Sequence, residues 1–230
     1  ALAERGIHRA AGVRMAEAEG AEVIATEPSA AQLALAMPHP RVRYLPGTAE
    51  SSGLTAASVD LVTAAQAAHW FDGPRFGAEV RRVLRPGGLV AVWTYETFSA
   101  GPPVDALVAG FYRDVVGPYW PPERRHVEER YATLALPFPD IPAPRFELAS
   151  EWDAEAALDY LGTWSSVARY RRLRGGDPRE LLAPLLREAW GPGLRRLRWP
   201  IHLRAPRAEK FRPPASRPPA SGSPGPASGT

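Results

Sequence analysis

From Ser58 to Trp93 the hydrophobic positions change period twice. Val59, Leu61, Val62 and Thr63 form a short apolar, β-branched run that predicts a buried strand over Ser58–Ala65. After Gly73-Pro74, Phe76, Val80, Val83 and Leu84 recur at helical spacing, with proline in the first turn where it costs no hydrogen bond. Arg85-Pro86-Gly87-Gly88 stops that helix in a tight turn, and Leu89–Trp93 is a second apolar strand. A connection of this length predicts a parallel strand–helix–strand unit with a right-handed crossover. Between the first strand and the helix stands QAAHWFD, Gln66–Asp72. It gathers an amide, an imidazole, an indole and a carboxylate at a strand's carboxyl end, where open sheets of such units bind ligands.

The same logic extends in both directions. Ala21–Thr26 (AEVIAT) predicts a strand ending at Glu27, and Ser29 followed by Gln32 forms a capping box for a helix over about 30–37. Arg41–Leu45 is the next strand, Pro46–Glu50 a turn and Ser51–Ala57 a polar loop. This order predicts an α/β fold with a parallel sheet. Residues 1–20 are Ala-rich and charged, broken at Gly6, Gly12 and Gly20, and predict irregular or helical pieces without a strand. The first residue is alanine, so the chain reads as a fragment or a processed product.

Downstream, Val104, Leu107, Val108, Phe111, Tyr112, Val115 and Val116 form one stripe of a helix over 103–117. Arg145–Ala149 predicts a strand; Ala154–Leu161 and Ser166–Leu173 predict helices. Asp177-Pro178-Arg179-Glu180 starts a helix with the stripe Leu181, Leu182, Leu185, Leu186, Ala189 and Trp190, kinked at Pro184. Leu197, Trp199, Ile201 and Leu203 alternate with polar residues in a last strand, which Pro200 assigns to a sheet edge. Residues 205–230 are rich in proline, serine, glycine and alanine and read as a disordered tail.

Composition narrows the chemistry. A chain of 230 residues, 45% hydrophobic and 23% charged, fits one soluble core with a small attached subdomain. No apolar run approaches membrane-spanning length, no signal peptide is evident, and a cytoplasmic location is expected. The absence of cysteine excludes disulfides and thiolate metal sites. The net charge of +3 is small, and Arg169–Arg174 and Arg195–Arg198 read as solvated faces rather than a nucleic-acid surface. His8, His39, His69, His126 and His202 lack metal-ligand spacing, and neither a GxSxG elbow nor a Walker loop occurs. Glu27 stands where a carboxylate accepts both ribose hydroxyls in dinucleotide-type folds; an exposed acid near a helix start is the other reading. Thr48-Ala49-Glu50 lines an adenine pocket or is an ordinary turn. His69 and Trp70 face a ligand or belong to the core.

The runs AEVIATEPSAAQLALA, VRYLPGTAE, SVDLVTAAQAAHWFD and RRVLRPGGLVAVW resemble successive motifs of class I S-adenosylmethionine-dependent methyltransferases. QAAHWFD, YLGTWSSVARY (Tyr160–Tyr170) and the ending Trp199-Pro200 are similar to the trans-aconitate methyltransferase-like branch. This resemblance implies a Rossmann-like three-layer sandwich over 21–204, mostly parallel with antiparallel C-terminal strands. It implies that Glu27 binds the ribose hydroxyls of S-adenosylmethionine, with Pro28 and Ser29 shaping the turn. Thr48 takes the place of an acid that contacts the adenine amine, and Ala49 offers its backbone there. Gln66 borders the methionine moiety; His69 and Trp70 face methyl donor and acceptor, with His69 as general base. Residues 101–193 include helices that cover a small-molecule acceptor, with Trp120 and Trp164 as apolar walls. No metal, nucleic acid or membrane is implied. The family's first strand and GxGxG loop have no counterpart in residues 1–20, so a degenerate, non-catalytic copy or a fragment is the alternative. That strand would lie between those at Ala21 and Ser58.

Overall fold

A computed structural model describes residues 20–208. The helical pieces expected over residues 1–19, and residues 209–230 of the expected tail, lie outside them.

Two parallel pairs form first. Strand β1 (Val23–Glu27) pairs with β2 (Val42–Pro46) in register from Val23↔Val42 to Glu27↔Pro46, around the short helix α1 (Ala30–Leu33). The capping box forms in altered shape: Ser29 Oγ accepts the Gln32 N–H at 3.3 Å, while Glu27 Oε1 takes the Ser29 N–H at 2.9 Å. One turn of helix results, against the two expected over 30–37. Strand β3 (Val59–Ala65) then crosses through α2 (Gly73–Val83) to β4 (Leu84–Tyr95). Phe76, Val80, Val83 and Leu84 are buried on the expected face of that connection. The Arg85–Gly88 turn is absorbed into β4 as a bulge, because the register shifts between Val59↔Leu84 and Leu61↔Leu89 and Gly87 takes φ +81°.

The chain continues through α3 (Pro102–Gly110), a π-helical turn (Phe111–Val115) and α4 (Arg124–Glu128). Then follow β5 (Phe146–Trp152), α5 (Ala154–Gly162), α6 (Ser165–Arg174), α7 (Arg179–Trp190) and β6 (Arg195–Arg204). The larger sheet has the order β3-β4-β6-β5, parallel at β3·β4 and antiparallel beyond. This is the mixed Rossmann-like arrangement, but among the described residues it stands in two pieces. No described strand lies between β1·β2 and the free edge of β3.

Pro200 is not at an edge. Strand β6 pairs on both sides, with β4 through Ile201–Arg204 and with β5 through Arg195–Ile201. The N–H and C=O of Arg198 both bond Ser99, so by alternation the backbone of Pro200 faces the same side. There Glu96, Thr97 and Phe98 leave the ladder between Tyr95 and Ser99, and no donor is required. A bulge accommodates the proline as well as an edge would. The boundary of the tail also moves. Val90 N–H bonds the Pro206 carbonyl (2.8 Å), Ala208 N–H bonds that of Gly88 (2.9 Å), and Ala205 and Ala208 are buried.

The main core lies among α3, α5, α6, α7 and β6, centred on Val104, Leu161, Leu186, Trp190 and Leu197. On α7 the buried stripe is Leu182, Leu186 and Trp190, whereas Leu181 and Leu185 are exposed. A second cluster joins Phe76 and Val80 to Leu84 and Val90, with Ala49 packed against it. Beside it Glu79 accepts the Ser52 N–H (2.9 Å) and hydroxyl (2.5 Å) and two guanidinium donors of Arg82 (2.8 and 2.7 Å). The Arg82 bonds foremost, then those from Ser52, hold its carboxyl at about 2 against the opposing effect of burial.

Leu186→Ala is expected to destabilise the protein by about 2–5 kcal/mol in urea unfolding, through lost burial and a residual cavity. Leu185→Ala, one position along, should stay within about 0.5 kcal/mol; equal costs would contradict the observed face. Because Glu79 has its pKa depressed from 4.5 to about 2, its contribution is complete above pH 4.5 and is lost as pH falls toward 2. A Glu79→Gln variant should therefore show a shallower loss of stability over that window than the wild type.

Candidate functional site

The site grows from the end of the β3·β4 ladder. Gln66, the first residue beyond β3, takes φ +50°, a left-handed conformation that costs a non-glycine residue about 1–3 kcal/mol. Its side chain offsets that cost by pairing with both backbone groups of Tyr95. Nε2 donates to the Tyr95 carbonyl (3.1 Å) and Oε1 accepts the Tyr95 N–H (3.1 Å) and the Thr94 hydroxyl (2.6 Å). The backbone N–H of Gln66 bonds the Trp93 carbonyl at 2.9 Å. An amide thus continues the sheet where the strand has turned away.

That turn delivers a short 3₁₀ helix, Ala68–Trp70. Ala68 and His69 face inward and Trp70 is 55% exposed, its ring tilted against the imidazole at 4.8 Å. His69 Nδ1 lies 2.8 Å from the hydroxyl of Tyr131. Asp72 is the N-cap of α2: its Oδ1 accepts the Arg75 N–H at 3.1 Å. The carboxylate of QAAHWFD therefore shapes the helix entry.

Tyr131 had no signal in the periodicity. It follows α4 in an irregular stretch, is wholly buried, and with Arg130 adopts positive φ (60° and 56°). Contacts from several sides hold this stretch. Arg130 Nε donates to Glu96 Oε1 (2.7 Å), Arg204 Nη1 donates to the Tyr131 carbonyl (2.9 Å), and Tyr131 N–H bonds the His126 carbonyl (2.8 Å). Burial pushes the phenol up to about 12, against the opposing pull of the His69 and Ala68 amides, the Thr94 hydroxyl and the Arg124 charge. Thr94, fully buried at the carboxyl end of β4, was also missed, although a hydroxyl closing the apolar run LVAVW is visible in the sequence.

The other predicted residues lie on the β1·β2 pair. Glu27 is half-buried, and its Oε2 makes no hydrogen bond among the described residues. Pro28 is exposed between Glu27 and the helix cap Ser29. The Glu27 carbonyl accepts the Gly47 N–H at 3.4 Å, which sets Thr48 next to it along the strand ends. Thr48 is exposed and bonds Ser51 in both directions (3.2 and 3.3 Å). Glu50 Oε1 accepts the Asp72 N–H at 2.9 Å, and that bond ties this loop to the one carrying His69. The structure thus sets Gln66 against Thr94 and Tyr95 and His69 against Tyr131, while Glu27, Pro28 and Ser29 belong to the smaller sheet.

Further along, a cavity of about 390 Å³ is lined by Tyr112, Trp120, Pro121, Arg124 and Glu128 among others. The Arg124 guanidinium stacks over Trp120 at 4.4 Å and donates from Nε to the Tyr112 hydroxyl at 2.9 Å. Trp120 lines this cavity. Trp164 does not line it: it is buried in the main core behind Tyr112, edge-on at 5.6 Å. Among the described residues no group of three or more His, Cys, Asp or Glu is placed to hold a metal ion, and no helix is long and apolar enough to cross a membrane.

Known proteins resemble this chain in sequence and fold. The methyltransferase domain family matches residues 6–92. A solved structure from Anaeromyxobacter dehalogenans, provisionally assigned as a type II methyltransferase, is 48% identical, with a TM-score of 0.77 over 83% of this chain and 82% of that one. A provisionally assigned methyltransferase of Dictyostelium discoideum is 32% identical over 159 residues, and an uncharacterized methyltransferase of Mycobacterium tuberculosis is 33% identical over 170. These matches cover 68% and 71% of this chain but 60% and 65% of those proteins, so the chain spans under two thirds of either relative's length. By fold, by the order of its strand-end motifs and by this likeness, the chain belongs to the class I S-adenosylmethionine-dependent methyltransferases.

Proposed function

We propose that this protein is a methyltransferase that moves a methyl group directly, in line, from S-adenosylmethionine to a small molecule. The observation that carries the reading is the pairing of Glu27 and Thr48 at adjacent strand ends with a buried imidazole at the end of β3. S-adenosylmethionine, when bound, supplies a methyl group already activated by a sulfonium. The residues present fit its adenosine half: Glu27 has a carboxylate oxygen left to accept ribose hydroxyls, with Pro28 and Ser29 fixing the turn. Thr48 and Ala49 offer a hydroxyl and backbone groups to the adenine. The Gln66 side chain is committed to Thr94 and Tyr95, so this residue meets the methionine half through its backbone.

Because the donor is pre-activated, the protein's work is alignment and exclusion of water, worth about 7–11 kcal/mol when reacting groups are well oriented. The exposed Trp70 indole against His69 supplies an apolar surface for the acceptor, and Trp120 walls the neighbouring cavity. His69 takes the proton from a hydroxyl or amine acceptor, since imidazole titrates near neutrality.

S-adenosylmethionine at a hundredfold excess over its Kd is expected to stabilise the protein by about 2.7 kcal/mol, or several degrees in Tm, and Glu27→Ala to lose most of that shift. An unchanged Tm at millimolar cofactor would overturn the reading. His69→Asn should keep the thermal shift and lower kcat on a hydroxyl or amine acceptor by about 10²–10⁴-fold. A kcat that stays at the wild-type value would remove His69 from the proton-transfer role.

A further inference from the structure

The cavity beside Trp120 is lined by Arg113, Arg124, Arg125 and the carboxylate of Glu128. Two of these cations are paired with residues that do not line it. Arg113 grips Asp114 through two bonds of 2.7 Å, and Arg125 lies 3.7 Å from Glu129. Arg124 is half-buried, and among the described residues it has no carboxylate partner. Its guanidinium lies over the Trp120 ring and its Nε donates to the Tyr112 hydroxyl. Tyr112 in turn donates its own proton to Glu128 Oε1 at 2.5 Å. Burial foremost pushes that phenol up to about 12, against the pull of the Arg124 charge and with help from Glu128. The phenol is therefore neutral near pH 7 and does not cancel the charge of the arginine.

The result is a guanidinium fixed on one face and at one edge, with both Nη groups lacking an acceptor among the described residues. Holding it flat before a ligand arrives removes ordering cost from the binding step. Its edge of parallel N–H groups matches the two oxygens of a carboxylate, which is planar and singly charged. One free cation suits that group better than a phosphate dianion, for which Arg113 and Arg125 are already taken. The cavity is also well placed. Arg124 opens helix α4, whose Val127 shares a buried cluster with Ala68, so α4 lies against the 3₁₀ helix that carries His69 and Trp70.

We infer that the methyl acceptor is a small acid with an apolar middle: Arg124, set by Trp120 and Tyr112, binds its carboxylate as a handle, while a hydroxyl or amine at its other end meets His69. The inference rests on the reading of the protein as a small-molecule methyltransferase, and it adds the class of substrate. The carboxylate is held and not methylated. The acceptor oxygen or nitrogen forms its bond to the methyl group as the sulfur–methyl bond breaks, and its proton passes to His69.

The test is calorimetric titration of the protein with benzoate, phenylacetate and 3-phenylpropionate, each against its neutral amide. None carries an acceptor hydroxyl or amine, so binding is read without methyl transfer. At least one acid is expected to bind about tenfold more tightly than its amide. Arg124→Met keeps an apolar stem on Trp120 and should abolish that preference. Arg124→Lys should retain only part of it, since an ammonium cannot form the bidentate pair. Tyr112→Phe releases Nε and should weaken acid binding severalfold while leaving amide binding unchanged. Equal binding of acids and amides, an undiminished preference in Arg124→Met, or no binding of any acid at millimolar concentration would overturn the inference. Tighter binding of phenyl phosphate than of the acids would overturn it too. Should Arg124→Met fail to fold, the acid–amide pairs and Arg124→Lys decide. The thermal shift with S-adenosylmethionine should be the same in Arg124→Met as in wild type, so a failure of the titration leaves the methyltransferase reading standing.

Discussion

The backbone hydrogen-bonding demand of β4 governs the rest of the fold. Both its edges are paired, with β3 on one side and β6 on the other, and Val90, Val92 and Thr94 on one face are fully buried. A strand so enclosed has nowhere to discharge a polar group except into a neighbour. When β3 stops at Ala65, the last backbone groups of β4 still need partners, and the Gln66 side chain provides them. The chemistry proposed at His69 begins from that repair. The left-handed turn at Gln66 that allows it also throws Ala68–Trp70 across the strand end, where Thr94 and Tyr131 wait.

The smaller sheet answers to a different constraint. It is fastened to the body by polar bonds: Glu50 to the Asp72 amide, and Ser52 to Glu79, whose carboxylate Arg82 also grips. Ala49 adds an apolar foothold on the α2 cluster. The two proposed halves of the ligand site therefore ride on separate sheets, joined through one loop over 48–52.

Reading the chain residue by residue recovers the elements well where a period is long and loses them where a tertiary partner decides. The helical spacing of Phe76, Val80 and Val83 and the alternation of Leu197 and Trp199 both translate directly into burial. The α7 stripe was drawn too wide, because leucine identity does not tell which of Leu185 and Leu186 finds the core. Glu27, Thr48, Gln66 and His69 were legible as strand-end residues. That Gln66 is spent on Tyr95 was not, since nothing local distinguishes an amide that meets a ligand from one that closes a ladder. Tyr131 was invisible for a stronger reason: it lies 62 residues from His69, in a stretch with no period, and its place is enforced by Arg130 and Arg204 from outside. Trp164 shows the reverse error, an aromatic assigned to a wall that the core had already claimed.

Pro200 carries a consequence for the alignment of the sheet. The smallest slip of β6 that keeps the same side chains inward is two residues. In one direction it sets Pro200 opposite Thr94, and in the other opposite Ser99. Each of those places asks the β6 backbone for a donor that proline lacks. The imino acid thus acts as a detent, with one resting position and a missing bond on either side. Since β6 is the strand against which Thr94 lies, Pro200 sets where along that track the carboxyl end of β4 comes to rest.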